Sequence, residues 1–97
     1  MKTTNEYLAL LTNFKLNFSQ RFGIKSIGIF GSVARGEQNQ DSDVDVFVEL
    51  EKPDYFIMCS IQENLQTIFG CKVDLVRMRN NLQEVLKNNI LKDGIYA

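Results

Sequence analysis

Residues 43–50 read Asp-Val-Asp-Val-Phe-Val-Glu-Leu, and this alternation constrains the fold more than any other feature of the chain. Successive side chains leave a β-strand on opposite faces. Val44, Val46, Val48 and Leu50 therefore share one face, which has to be buried. Asp43, Asp45, Phe47 and Glu49 share the other. A strand of this kind belongs to a sheet whose apolar side is covered by helices and whose second side carries carboxylates.

The flanking segments supply the helices. Over residues 5–22, Tyr7, Leu8, Leu11, Phe14, Phe18 and Phe22 recur at three- and four-residue steps, which gathers them on one helical face before Gly23 stops the helix. Ser26–Phe30 is short, apolar and β-branched, and reads as a first strand. Residues 31–40 form a turn region, with one helical turn at Ser32–Arg35. Pro53-Asp54 opens a second long helix over 55–69, closed by Gly70. Lys72–Val76 is a third strand. Asn80-Asn81 would cap a last helix with Leu82, Val85, Leu86 and Ile90 on its inner face and Gly94 at its end.

The predicted order is α-β-β-α-β-α, an α/β (α+β) chain with a small mixed three-stranded sheet and helices mostly on one face. Strands two and three, joined by a helix, should be parallel. The loop of roughly twelve residues between strands one and two allows an antiparallel pair. Ninety-seven residues support one core, so 1–97 is expected to be a single domain.

Composition removes several function classes. The chain has no His, which excludes a Ser-His-Asp triad, a Cys-His dyad and a His-ligated zinc. Cys59 and Cys71 stand twelve apart without a C-x-x-C pair, so a zinc ribbon and a thioredoxin-like motif are also excluded. Eleven basic against twelve acidic residues give a net charge of −1, which argues against a general nucleic-acid binder. No apolar run reaches the ~18–20 residues of a membrane span. No signal-peptide stretch follows Met1, so the expected location is the cytoplasm with both thiols reduced. Any chemistry has to come from carboxylates, hydroxyls, amides, Lys and Arg.

The informative stretch is Gly31-Ser32-Val33-Ala34-Arg35-Gly36, followed by Asp41-Ser42-Asp43-Val44-Asp45. Asp43 and Asp45, with Cα atoms about 6.6 Å apart along a strand, point the same way. Asp74 lies mid-strand in Val73-Asp74-Leu75, where a neighbouring strand would bring it beside them. Two like charges at 4 Å cost about 4 kcal/mol at an effective dielectric of 20, so the clustering opposes folding unless a cation reverses its sign. Three convergent carboxylates suit Mg²⁺, which prefers oxygen ligands and keeps positions for water and substrate phosphates. Gly31 lets the backbone turn and approach a phosphate, and the Ser32 hydroxyl is a natural phosphate donor.

Two other motifs fail in this stretch. Gly31 and Gly36 have P-loop spacing, but Glu37-Gln38 stands where Lys and Ser/Thr are required. Asp41–Asp45 begins like an EF-hand loop, but its sixth position is Val46 and its twelfth is Lys52.

Gly31-Ser32, ten residues, then Asp43-x-Asp45, with Asp74 later in Lys-Val-Asp-Leu-Val, resembles the signature of the DNA polymerase beta-like nucleotidyltransferase superfamily. The run GSVARG…DSDVDVFV and the closing Asn89–Tyr96 are similar to its minimal, stand-alone members. The resemblance implies a nucleotidyltransferase fold and an Mg²⁺-dependent transfer of a nucleoside monophosphate, AMP from ATP, with two ions. It implies that Asp43, Asp45 and Asp74 are catalytic metal ligands and that Gly31 and Ser32 hold phosphates. Arg35 falls at the motif's Arg position, where it would pair with phosphate or with a carboxylate of its own fold. Larger relatives carry acceptor-binding domains for which this length leaves no room. The resemblance therefore points to a partner protein as acceptor, such as the HEPN toxin of a HEPN/MNT toxin–antitoxin pair. A binding antitoxin that keeps the fold without catalysis, and a transferase acting on a small molecule or RNA, are the alternatives.

Overall fold

The computed structural model describes residues 2–79 and 82–97. The elements in chain order are α1 (Thr4–Phe22), β1 (Ile24–Phe30), α2 (Gly31–Arg35), β2 (Val44–Leu50), α3 (Tyr55–Phe69), β3 (Val73–Arg77), α4 (Glu84–Asp93) and β4 (Ile95–Tyr96).

Both long helices start at side-chain caps. In α1 the Thr3 hydroxyl accepts from the Glu6 N–H at 3.2 Å, and the Glu6 carboxylate accepts from the Thr3 N–H at 3.0 Å. This reciprocal box satisfies two amides that the first helical turn would leave unpaired. In α3 the Asp54 carboxylate accepts from the N–H groups of Phe56 and Ile57. Glycines in the left-handed region, Gly23 and Gly70, end the two helices.

The sheet runs β3-β2-β1-β4. β1 and β2 are antiparallel, with Ile29 opposite Val46 and Phe30 opposite Asp45. β2 and β3 are parallel, with Asp45 opposite Asp74. Both orientations match the sequence expectation. A fourth strand was not anticipated: Ile95 and Tyr96 pair with Ile29 and Gly28 on the far side of β1. Two residues carry no alternation for a pattern to reveal. Gly28 permits the pairing, because a Cβ there would collide with the Ile95 carbonyl and lie 2.7 Å from Phe47 Cε1.

One face of the sheet, with Ile27, Ile29, Val44, Val46, Val48 and Val73, packs on Tyr7, Leu11 and Phe14 of α1 and Ile61, Leu65 and Phe69 of α3. The opposite face is partly covered as well. Phe30 and Phe47 lie under Leu82 and Ile90, with Val76 and Leu86 at the border. The helices therefore divide between the faces, α1, α3 and, through Val33, α2 on one and α4 on the other. Val85 was expected on the inner side of α4 but is 66% exposed, because that helix begins at Glu84 and turns a narrower stripe inward. The side-chain cap expected for this helix, at Asn80-Asn81, falls outside the described residues. Gln83 is the N-cap residue and makes no side-chain cap bond.

Candidate active site

The carboxylates meet where β1 ends and β2 and β3 begin. Asp45 is the second residue of β2, Asp43 immediately precedes that strand, and Asp74 is the second residue of β3. In-register neighbours of a parallel pair lie about 4.8 Å apart and share a face. Asp45 and Asp74 are such neighbours. Phe30 is the residue opposite Asp45 on the other side. Asp45 and Asp43 are half-buried and Asp74 is exposed.

The clustering leaves an electrostatic mark. Asp45 is pushed up from 3.8 to about 6, first by burial, then by the charges of Asp74 and Asp43, with Arg35 acting in the opposite direction. Both causes are expected for a carboxylate withdrawn from water beside two like charges. Asp45 thus feels the charges of both other carboxylates. Among the described residues no three His, Cys, Asp or Glu side chains are drawn close enough to form a finished metal cage.

Gly31 lies directly behind this cluster. It follows β1 with φ +71, and a Cβ there would run into the Asp45 Oδ2 and sit 3.1 Å from Cγ. The glycine is thus required by the protein's own carboxylate, in addition to any phosphate it approaches. Ser32 follows in the single turn of α2, half-buried, and its hydroxyl has no hydrogen-bond partner among the described residues.

Arg35 pairs with carboxylates of its own fold. Its Nε donates to Glu37 at 3.0 Å and its Nη1 to Asp93 at 2.8 Å. These bonds, Glu37 first and then Asp93, raise its pKa. Its charge still reaches Asp45. Asp93, 58 residues away in sequence, was not singled out beforehand, because no local spacing connects the end of α4 with the turn after β1. Lys72, which alternates away from Asp74, is exposed and takes no part in the cluster.

The model of the nucleotidyltransferase domain family matches residues 11–97. The chain is a member of that family. As a nucleotidyltransferase it is 37% identical over 98 residues to the protein adenylyltransferase MntA of Thermococcus cleftensis, covering 100% of this chain and 98% of the relative. A relative from Methanocaldococcus jannaschii is 39% identical, with 100% of both chains covered. Among solved structures, a minimal nucleotidyltransferase superposes with a TM-score of 0.77 at 29% identity, covering 97% of this chain and 95% of the other. A toxin–antitoxin structure with AMP-PNP shares the fold, with a TM-score of 0.71 at 24% identity over 87% of this chain and 69% of the other. The nucleotidyltransferase fold expected from the motif is therefore present. Among the described residues no helix is long and apolar enough to cross a membrane.

Proposed function

We propose that this nucleotidyltransferase moves AMP from ATP onto a hydroxyl of a partner protein, and that the partner is a HEPN-type toxin which the modification silences in the cytoplasm. The observation that carries the reading is the carboxylate row itself. Asp45 lies beside Asp74 and over Gly31, with its carboxyl pushed up to about 6, a cost that a bound cation would offset. The names of its relatives support the choice of nucleotide and acceptor class: a protein adenylyltransferase at 37% identity, and same-fold toxin–antitoxin structures, one of them with AMP-PNP.

The donor set fits Mg²⁺. It is all oxygen and anionic, and Asp74 is open to incoming groups. Asp43, Asp45 and Asp74 would hold two ions, which would neutralise the triphosphate and acidify the acceptor hydroxyl. The chain's own residues do the rest. Gly31 and Ser32 hold the terminal phosphates through the turn amides and the unpartnered Ser32 hydroxyl. Arg35, tethered by Glu37 and Asp93, keeps positive charge beside the site. The acceptor oxygen bonds to the α-phosphorus, the bond to the β-phosphate bridge breaks, and pyrophosphate leaves with that electron pair. The exposed Asp74 takes the acceptor's proton.

The test is label transfer. The protein is incubated with Mg²⁺, ATP labelled at the α-phosphate and lysate of its host, beside an Asp43→Asn/Asp45→Asn control. Label on a protein band that the control lacks is the expected result. Label on RNA or a small molecule would replace the acceptor class. No label with any of the four nucleotides, the partner being present, would leave a binding module that retains the fold.

A further inference from the structure

The sheet has two edge strands, β3 and the two-residue β4, and β3 is the longer. The Lys72 carbonyl accepts from the Val44 N–H at 3.1 Å, and the Met78 N–H donates to the Val48 carbonyl at 2.8 Å. Even-numbered residues of β3 thus turn their backbone groups toward β2, and Val73, Leu75 and Arg77 turn theirs outward. At Val73 the fold closes the edge itself: its N–H donates to the Gln66 side chain at 3.2 Å, and its carbonyl accepts from Gln62 Nε2 at 2.9 Å. Beyond Val73 this cover ends. The outward N–H and C=O of Leu75 and Arg77 have no partner among the described residues. An unpaired strand edge of this kind is a template for another strand.

The bare stretch forms the floor of a cavity of about 640 Å³. Tyr55 and Met58 of α3 stand on one side, and Leu82 and Leu86 before and on α4 stand on the other. Arg77 and Arg79 line it as well. The one carboxylate in the lining, Asp54, is already turned to the first amides of α3. Neither arginine is in an ion pair among the described residues. The groove therefore offers main-chain donors and acceptors, apolar walls and uncompensated positive charge.

We propose that this edge docks an extended, acidic segment of a protein partner by strand addition. Main-chain bonds to Leu75 and Arg77 would fix its register, the apolar walls would take alternate side chains, and Arg77 and Arg79 would select acidic ones. Single-stranded RNA would satisfy the arginines but leave the strand edge without a matching backbone. The position gives the docking a purpose. Val76 lies two residues along β3 from Asp74 and on the same face, so a segment paired here carries its neighbouring residues past the exposed carboxylate. The inference deepens the transfer reading by naming how the acceptor protein is held, and its test does not require transfer.

The whole chain carrying Asp43→Asn/Asp45→Asn is panned against displayed random ten-residue peptides. Enriched peptides are measured by fluorescence anisotropy and by amide hydrogen exchange. The expected result is enrichment of extended sequences with acidic residues, slowed exchange at the Leu75 and Arg77 amides, and affinity about tenfold weaker with Arg77→Glu/Arg79→Glu. A thermal melt checks that this variant is folded, and Arg79→Glu alone, in an exposed position, serves if it is not. Failure to enrich any peptide, enrichment without acidic residues, unchanged exchange at those two amides, or affinity indifferent to the arginines overturns the proposal. So does a ten-residue oligouridine that protects the same amides when no peptide does. Because the panned protein lacks the proposed catalytic pair, failure here leaves the transfer reading standing, and failed label transfer leaves this docking to be judged by itself.

Discussion

Asp45→Asn should make the metal-free protein more stable at neutral pH while abolishing its activity. The folded-state pKa of Asp45 lies at about 6, above its ordinary 3.8. The folded chain therefore binds the proton more tightly than the unfolded chain does, and stability falls as pH rises through that window. Below the ordinary value the carboxyl is protonated in both states and adds no penalty. Above about 6 the penalty is complete. The gap between the two values corresponds to about 3 kcal/mol unscreened. The group is only part-buried, so solvent reduces this to about 1–2 kcal/mol. Asn keeps the shape above Gly31 and removes the charge. For a chain of this size, 1 kcal/mol moves the melting temperature by about 4–8 °C. Urea unfolding in a chelator should give Asp45→Asn an advantage of about 1–2 kcal/mol at pH 7.5 and almost none at pH 3.5. A variant less stable than the parent at pH 7.5, or an advantage equal at both pH values, would refute the argument. Asp45 would then be a structural residue.

Three further outcomes follow from separate features. Gly31→Ala should cost about 3 kcal/mol or more, since it adds overlap with Asp45 to left-handed strain, whereas Gly70→Ala, at φ +69 with nothing within 4 Å, should cost only about 1–2; paired urea melts measure the difference. Thr3→Ala should lower stability by about 1 kcal/mol through loss of the capping box, read as a drop in melting temperature. Tyr7 is pushed up from 10 to about 12, chiefly by burial and then by its Cys71 bond. Its phenol therefore ionises first in the unfolded chain, and stability should fall between these values as pH rises, a loss that Tyr7→Phe removes in unfolding curves at pH 9 and 11.

Much of the molecule was written locally. The period of two over residues 43–50 set a strand with one buried and one acidic face. The steps from Tyr7 to Phe22 and from Ile57 to Phe69 set two helices, and Gly23 and Gly70 set their ends. These are properties of neighbours in the chain, so a pattern records them. The spacing of Gly31-Ser32, Asp43, Asp45 and Asp74 gave the candidate site for the same reason, since each residue sits at a fixed offset on a recognisable strand or turn.

Contacts between distant segments left no such record, and the tertiary structure alone decided them. Ile95-Tyr96 becomes a strand only because β1 offers an edge with Gly28 in its middle. Arg35 is bound to Asp93 across 58 residues because α4 crosses the acidic face of the sheet and ends beside α2. Val85 points to solvent because Phe30 and Phe47 are met along a narrow stripe of Leu82, just before α4, and Leu86 and Ile90 within it, which leaves Val85 outside the contact. The proton affinity of Asp45 belongs to the same class. Sequence supplied three carboxylates, but burial and the parallel register with Asp74 determined how strongly each is felt, because electrostatic cost depends on separation and solvent access and neither is a property of the order of residues.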